Sequence, residues 1–368
     1  NAMTPLPTLK IGQYTARHPI IQGGMGIRIS GAGLAAAVAN AGGIGIISAI
    51  GLGMRSAYFD PHEPSPKKRH ENFLEANRLA LIDELQKARA LSPQGIIGVN
   101  VMVAAHGYEL LVKTAVQNGA NLVISGAGLP LKLPAYTADV PTAALLPIVS
   151  SARTAKIICQ KWQRQYGRLP DAIVVENPNS AGGHLGAKRQ ELDSPDLEAE
   201  QVLPELITYL HNELQQDIPL IAAGGIWDRA DIDRMLALGA RGVQIGTRFI
   251  TTEECDVDRR YKEFHLQAKP EDVVVVSSPV GLPGRALKNP FVEKVLAGTP
   301  SKSKEPCLVN CLKVCKFRDS RDTYCILRAL DRAAQGDVET GLVFAGSHAG
   351  QAEKILPVAE LMAELTVS

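Results

Sequence analysis

The stretch ENPNSAGGHLG, residues 176–186, holds a single histidine, His184, in a frame of glycines. It follows an apolar run, so the sequence predicts a loop that begins where a buried strand ends. A histidine in such a loop can take a proton as the neutral imidazole, or stabilise negative charge as the imidazolium. The alternative is a structural histidine that hydrogen-bonds a carbonyl of its own loop.

Two further glycine-rich turns follow apolar runs. The run PLIAAGG ends on Gly224 and Gly225, and the run GVQIGTR contains Gly246 and Thr247. Glycines let backbone N–H groups approach an anion, so the two turns together predict a phosphate site that needs no lysine. Either pair taken alone is better explained as a tight turn between a strand and a helix.

Eight short apolar runs must position these residues. Each is closed by Gly, Pro, Ser or Asn, and none alternates cleanly between polar and apolar, so we predict strands that are buried on both faces. Most are separated by segments with helical spacing, such as 72–90 and 230–239. Eight such units in about 250 residues are typical of a TIM (β/α)8 barrel, an α/β fold. The runs begin at Pro19, Gly43, Ile96, Asn121, Leu145, Ala172, Pro219 and Gly242.

A doubly wound sheet would show a similar alternation of strands and helices. Its dinucleotide pattern is matched only by GAGLAA at residues 31–36, which starts eight residues past its strand and lacks the later acidic residue. The uncharged stretch 29–54 is long enough for a membrane helix, but its glycines favour a short helix followed by a buried strand.

The charges are nearly balanced, with 39 Lys and Arg against 38 Asp and Glu. We therefore expect a small-molecule partner and neither nucleic acid nor a membrane, since both need a broad electropositive surface. Six cysteines are too few and too unevenly placed for a secreted disulfide scaffold, and no basic and apolar leader precedes them. We therefore expect the protein to be located in the reducing cytoplasm.

In a barrel of this class the chemistry lies at the carboxyl ends of the strands. The residues at these positions are mostly polar or glycine, and together with the two glycine-rich turns they form the candidate site. They are Gln22, Gly23, Gly24, Met25, Asn100, Ser125, Glu176, Gly183 and His184.

The motifs IIQGGMG, GVNV, SAGGHLG, IAAGGIWD and GVQIGTRF stand in an order and at spacings that resemble the FMN-dependent nitronate monooxygenases, formerly called 2-nitropropane dioxygenases. The flavin-dependent enoyl-ACP reductases are close relatives of that family. The resemblance covers most of the barrel and implies bound FMN, with Glu176 near its ribityl chain or ring and His184 on the substrate side. It implies a phosphate site at Gly224, Gly225, Gly246 and Thr247, a ring site at Gly23, Gly24, Met25 and Asn100, and further cofactor contacts at Gln22, Ser125 and Gly183.

The resemblance implies oxidation of alkyl nitronates, or of the nitroalkanes that form them, with dioxygen. A nitroalkane loses its Cα proton to give a nitronate anion, and His184 is the expected base. One alternative keeps the barrel but lets NADH or NADPH reduce the flavin, which then reduces an enoyl thioester or a quinone. Another is a barrel without redox chemistry, such as a phosphosugar isomerase. The sequence does not determine the oligomeric state, and a homodimer is one of the states that it allows.

The pattern changes after about Thr251. We predict an FMN-binding barrel over residues 4–255 and a mostly helical C-terminal segment over residues 256–368 that covers the barrel mouth. In this segment, His348 in the stretch GLVFAGSHAG could begin a helix or fold back over the barrel mouth, and we predict the helix.

Four cysteines lie close together in the C-terminal segment. Cys307, Cys311 and Cys315 recur every fourth residue, which predicts one face of a helix, and Cys325 follows ten residues later. The spacing matches neither the usual zinc motifs nor the common iron–sulfur runs. We therefore interpret these thiols as packing groups and predict no metal.

Overall fold

The computed structural model of the chain describes residues 4–298 and 305–366, and strands form its centre. The strands are β1 (Leu9–Ile11), β2 (Tyr14–Ala16), β3 (Ile20–Gln22), β4 (Ile44–Ser48), β5 (Ile96–Met102), β6 (Leu122–Gly126), β7 (Ala144–Val149), β8 (Ile173–Glu176), β9 (Gly183–His184), β10 (Leu220–Ala223), β11 (Gly242–Ile245), β12 (Val273–Ser277) and β13 (Pro283–Leu287). Eight of them close into a parallel barrel in the order β10-β11-β3-β4-β5-β6-β7-β8. The predicted TIM-barrel fold is confirmed, and each of the eight predicted runs supplies one barrel strand.

Helices cover the barrel and extend beyond it. They are α1 (Ala32–Asn40), α2 (Pro66–Leu91), α3 (Tyr108–Gln117), α4 (Leu133–Tyr136), α5 (Ala152–Tyr166), α6 (Ala199–Thr208), α7 (Arg229–Ala237), α8 (Thr247–Ile250), α9 (Arg259–Gln267), α10 (Pro290–Leu296), α11 (Lys316–Ser320), α12 (Ile326–Ala334) and α13 (Val358–Thr366). Short 3₁₀ turns occupy Leu52–Arg55, Arg189–Glu191, Pro195–Leu197 and Pro270–Asp272, and Tyr209–Glu213 is a π-helical turn.

The N-terminal hairpin β1–β2 closes one end of the barrel. Leu9 and Ile11 of the hairpin are fully buried in the same apolar cluster as Ile21, Ile44 and Leu146 of the barrel strands. Burial of such side chains stabilises the fold by roughly 1.5–3 kcal/mol each. With this end filled, the carboxyl ends of the strands are left to form a site.

The uncharged stretch 29–54 contains α1, β4 and a 3₁₀ turn rather than one long helix. Across residues 4–298 and 305–366, no helix combines the length and the apolar character that crossing a bilayer requires.

The C-terminal segment reaches back to the barrel through a small antiparallel sheet. β12 pairs with β13, and β13 pairs in turn with β9, so that Gly284 lies opposite His184 and Arg285 opposite Gly183. The sequence analysis predicted neither β12 nor β13 in this segment. Residues 299–304 and 367–368 of the predicted segment lie outside the described residues.

The helix predicted through the three regularly spaced cysteines is wrong. Cys307 and Cys311 lie in irregular chain, and Cys315 directly precedes α11. Asn310 adopts a left-handed conformation with φ 52°, which interrupts a helix. The Arg318 guanidinium donates to the carbonyls of Leu312 and Lys313, so these groups need no helical N–H partner.

Candidate active site

One cavity of about 290 Å³ lies at the carboxyl ends of the barrel strands. The barrel order makes β8, β10, β11 and β3 neighbours, so their following loops meet although they are far apart in sequence. Most of the predicted site residues line this cavity: Gly23, Gly24, Met25, Asn100, Glu176, Gly183, His184, Gly224, Gly225, Gly246 and Thr247.

The turn after β10 has a backbone that only glycine adopts without strain. Gly224 and Gly225 have φ values of 93° and 72°. A Cβ on Gly224 would lie 2.8 Å from the Asn177 carbonyl oxygen, and one on Gly225 would lie 2.6 Å from Cβ of Ser180. The backbone at this turn is therefore held against the loop after β8.

The same turn offers free hydrogen-bond donors. Within the described parts of the chain, the backbone N–H groups of Gly225 and Ile226 have no hydrogen-bond acceptor. The N-terminus of α7, by contrast, is occupied, because Asp228 and Asp231 form a reciprocal capping box. None of the described residues that line the cavity is a lysine or arginine. An anion at this turn would therefore be bound by backbone donors.

The loop after β3 forms one wall of the cavity, and its Gly24 lies close to β4 and β5. A Cβ on Gly24 would lie 2.5 Å from Cβ of Asn100, so no larger side chain fits there. Gln244 on β11 also lines the cavity, and its buried Oε1 has no hydrogen-bond partner among the described residues. Such a buried acceptor suits a cofactor N–H group. The motif GVQIGTR contains Gln244, but the sequence analysis did not select it.

Gln22 and Ser125 do not belong to the cavity lining, although both were predicted to contact the cofactor. The Gln22 side chain bonds both backbone groups of Ile46 at 3.0 Å and so ties β3 to β4. The Ser125 hydroxyl donates to the Val101 carbonyl at 2.8 Å and hydrogen-bonds Tyr108 at 2.7 Å. Both side chains thus crosslink elements of the barrel.

Arg285 on β13 holds the loop that carries His184. Its buried guanidinium donates to the carbonyls of Pro178 and Ala181 at 3.0 and 2.5 Å. It also acts on Glu176, whose pKa burial raises to about 7 while the Arg285 charge opposes the rise. Arg285 lies about 100 residues from this loop, a distance that motif spacing does not reveal.

The raised pKa of Glu176 predicts a pH-dependent stability. Folded Glu176 keeps its proton up to about pH 7, whereas unfolded glutamate loses it near pH 4.5. The free energy of unfolding therefore falls as pH rises through that window. Glu176→Gln cannot ionise and so escapes this loss. The melting temperature of the variant minus that of the parent should therefore rise by about 2–5 °C as the pH is raised from 4.5 to 7.5.

Thermal melts at several pH values, with and without added FMN, measure this difference. Glu71→Gln, at an exposed position on α2, is the control for loss of a carboxylate elsewhere. A difference between Glu176→Gln and the parent that does not change with pH would contradict the prediction.

His184 is the only ionisable side chain of the stretch 176–186 besides Glu176. Its Nε2 lies 2.8 Å from Oγ of Ser278, and its ring meets the Phe344 ring edge-on at a centroid distance of 5.1 Å. Burial lowers the pKa of His184 to about 4, so the imidazole is neutral at pH 7. A neutral imidazole at the cavity can accept a proton.

His348 does not begin a helix, and that prediction is wrong. It lies in a turn over residues 347–350 and lines the cavity, while α13 begins only at Val358. Two bonds fix this turn over the barrel mouth. Gly346 N–H donates to Thr247 Oγ1 at 2.9 Å, and Ser347 N–H donates to the Ser180 carbonyl at 2.9 Å.

Among residues 4–298 and 305–366, no group of three or more His, Cys, Asp or Glu side chains is arranged to hold a metal ion. Cys311 lines the cavity and is near Cys325, Cys307 and Cys315. Burial raises the pKa of the Cys311 thiol well above its usual range.

Comparison with known proteins shows that nearly the whole chain matches one protein family. The family model described as nitronate monooxygenase matches residues 8–368. A relative in Mycobacterium tuberculosis, (3aS,4S,5R,7aS)-5-hydroxy-7a-methyl-1-oxo-octahydro-1H-indene-4-carboxyl-CoA dehydrogenase, is 29% identical over 83% of this chain and 72% of its own length. A probable nitronate monooxygenase of Staphylococcus saprophyticus is 26% identical over 79% of this chain and 81% of its own.

Solved structures agree on the fold. FabK from Thermotoga maritima superposes with a TM-score of 0.69 at 26% identity, over 95% of this chain and 92% of its own. A nitroalkane oxidase from Streptomyces ansochromogenes superposes with a TM-score of 0.65 at 21% identity, over 94% of each chain, which shows a shared fold.

Proposed function

The chain belongs to the nitronate monooxygenase family, and from this premise we propose that it oxidises alkyl nitronates and nitroalkanes with dioxygen, using FMN and His184. Membership makes it a flavin-dependent oxidoreductase. The observation that carries the finer proposal is the neutral His184 beside the cavity that the glycine-rich turns also line.

The residues of the cavity suit a flavin mononucleotide. The free N–H groups of Gly225 and Ile226 would bind its phosphate, and the unpartnered Gln244 oxygen would accept a bond from its ring. The chain has no second nucleotide-binding motif, which favours FMN over FAD. Bound FMN would accept two electrons from the substrate and return them to dioxygen.

His184 would act on a nitroalkane as a general base. The Cα proton moves to the imidazole, and the electrons of the C–H bond stay on the substrate as the nitronate. The described lining residues include no lysine or arginine, so the imidazolium formed in this step would supply the positive charge at the cavity wall beside the new anion. The attraction between the two charges strengthens a base whose resting pKa is low. A nitronate that arrives already ionised needs no such transfer.

A second candidate function is redox chemistry on an acyl or enoyl thioester with NADH or NADPH. Two observations favour it. The CoA dehydrogenase is among the relatives at 29% identity. The C-terminal segment also gives the cavity an apolar wall, which suits a hydrocarbon chain: Val280, Leu312, Ile326, Leu327, Leu330 and Phe344.

An anaerobic experiment separates the two functions. Heat release and chromatography of the purified protein should give FMN alone. The yellow protein is then mixed, without oxygen, with an alkyl nitronate, NADH or NADPH in separate samples. We expect the nitronate to bleach the flavin band within one turnover and the nicotinamides to leave it unchanged. Bleaching by a nicotinamide alone would favour the thioester or quinone reductase, and FAD or no flavin would contradict the FMN proposal.

The remaining features follow the same proposal. We propose that the protein is a cytoplasmic enzyme that acts on small molecules. The barrel of residues 4–255 would bind FMN, and the C-terminal segment would cover the barrel mouth. We also propose that Cys307, Cys311, Cys315 and Cys325 are packing groups that bind no metal.

A further inference from the structure

The turn that carries His348 lies against the glycine-rich turn after β10. Its backbone donates to the Ser180 carbonyl and to Thr247 Oγ1, each at 2.9 Å, so both sides of the turn are fixed. A Cβ on Gly225 would lie 2.6 Å from Cβ of Ser180 and 3.6 Å from Cδ2 of the His348 ring. The second distance is ordinary van der Waals contact. The imidazole is therefore held beside the backbone donors that we assign to the phosphate.

A further hydrogen bond sets the orientation of the His348 ring. The amide Nε2 of Gln351 lies 2.8 Å from His348 Nδ1, and an amide nitrogen can only donate. Nδ1 is therefore the acceptor, and the neutral ring carries its hydrogen on Nε2. The ring edge opposite Nδ1 consists of Nε2 and Cδ2, and Cδ2 is the His348 atom nearest to Gly225. This edge thus faces the glycine-rich turn, and Nε2 has no hydrogen-bond partner in the described parts of the chain.

The charge of a phosphate gives this ring edge a purpose. A phosphate monoester carries about 1.5 to 2 negative charges at pH 7. None of the described residues that line the cavity is a lysine or arginine, so its two histidines are the lining side chains that can become cations. His184 Nε2 is already bonded to Ser278, whereas His348 lies at the glycine-rich turn with Nε2 free. Hydrogen bonds to an ionised acceptor are roughly twice as strong as neutral ones.

We propose that His348 is a cofactor-binding residue whose Nε2–H donates to the FMN phosphate at the turn after β10. The inference rests on the proposed binding of FMN, with its phosphate at this turn. The two histidines of the cavity then have separate tasks, because His184 acts on the substrate and His348 holds the cofactor. Since the turn over residues 347–350 belongs to the C-terminal segment, that segment contributes to cofactor affinity as well as covering the barrel mouth.

Riboflavin tests the proposal, because it has the ring and the ribityl chain of FMN but no phosphate. The cofactor-free proteins are titrated with each flavin, and the change in flavin fluorescence gives the dissociation constants. His348→Leu keeps most of the bulk of the side chain but has no donor. Its dissociation constant for FMN should rise about 10- to 100-fold, as expected for the loss of one hydrogen bond to a charged group. Its dissociation constant for riboflavin should stay within about twofold of the parent value, because riboflavin has no group for the imidazole to bind.

Two further variants control for changes in the shape of the cavity. His348→Ala removes the ring without adding an apolar side chain at this partly exposed position, and it should give the same result as His348→Leu. Melting temperatures show which variants fold, and either of the two decides the matter if the other does not. His211→Leu makes the same exchange at an exposed position outside the cavity lining, and it should bind both flavins as the parent does.

Folded His348 variants that bind FMN as tightly as the parent would overturn the proposal. Equal losses of FMN and riboflavin affinity would also overturn it, because His348 would then support the cavity as a whole rather than the phosphate. A parent protein that binds riboflavin as tightly as FMN is a different outcome. It would refute the phosphate site at the glycine-rich turn, and the role of His348 would fall together with the proposed use of FMN.

Discussion

We expect the His184→Asn variant to bind FMN and to turn over neutral nitroalkanes about 100- to 10,000-fold more slowly than the parent. A factor of this size is the usual contribution of a general base. The parent imidazole is neutral because burial lowers its pKa to about 4, so it is ready to accept a proton at every pH above about 5. Asparagine has a similar size but no nitrogen lone pair that accepts a proton at neutral pH. The loss on preformed nitronates should be much smaller, because they carry no Cα proton to remove.

Steady-state kinetics with a nitroalkane and with its pre-ionised nitronate measure the two losses separately. His211→Asn is the matched control, because it makes the same exchange at an exposed position outside the cavity lining. Since Glu176 has a pKa of about 7, the pH profile is best recorded in a Glu176→Gln background, where the nitroalkane rate should stay level down to about pH 5. Equal losses of His184→Asn on both substrates would show that His184 stabilises the anion instead.

The sequence predicts the barrel well because each barrel strand has a recognisable pattern in its own few residues. Strands buried on both faces are continuous apolar runs, so a run such as IIGVNVM needs no knowledge of its neighbours to be recognised as β5. The hairpin β1–β2 and the pair β12–β13 were not predicted. β1 and β2 have only three residues each and mixed burial, and β13 is fully buried but contains proline, glycine and arginine, so none of them reads as an apolar run. β12, by contrast, begins with four valines and ends on a serine, so it carries the local signal and was overlooked. The pairing of these four strands comes from tertiary contacts.

The candidate site was predictable only to the level of loops. A residue at the end of a strand is near the cavity, but the pleat decides which way its side chain points. This is why Gln22 and Ser125, at the ends of β3 and β6, bond to neighbouring backbone, while Asn100 on β5 reaches the cavity. An apolar run shows no alternation from which that direction could be read.

The supporting residues were missed because their partners are distant in the chain. Ser278 bonds a histidine 94 residues away, and Arg285 bonds a loop more than 100 residues away. The error at His348 has the same origin, since Thr247 and Ser180 hold its turn across the barrel mouth. Contacts of this kind leave no periodicity in the sequence, so only the folded chain reveals them.

The glycine-rich turn after β10, by contrast, was selected for its composition, and the structure gives that choice a sharper test. Gly225→Ala should weaken FMN binding on the order of 10- to 100-fold. An alanine in the left-handed conformation costs about 1–2 kcal/mol, and its Cβ would lie 2.6 Å from Cβ of Ser180. The turn of the cofactor-free protein can relax away from this overlap. Binding the phosphate requires it to return, so the cost appears in the dissociation constant.

Gly167→Ala separates this effect from backbone strain alone. Gly167 ends α5 with a similar φ of 63°, but a Cβ there would meet no atom within 4 Å. This variant should lose some thermal stability and bind FMN as the parent does. Fluorescence titration of the cofactor-free proteins gives both dissociation constants, and the melting temperatures show whether both variants fold. If Gly225→Ala binds FMN as tightly as Gly167→Ala does, the phosphate is not held by the N–H groups of Gly225 and Ile226, and the orientation proposed for the cofactor must be abandoned.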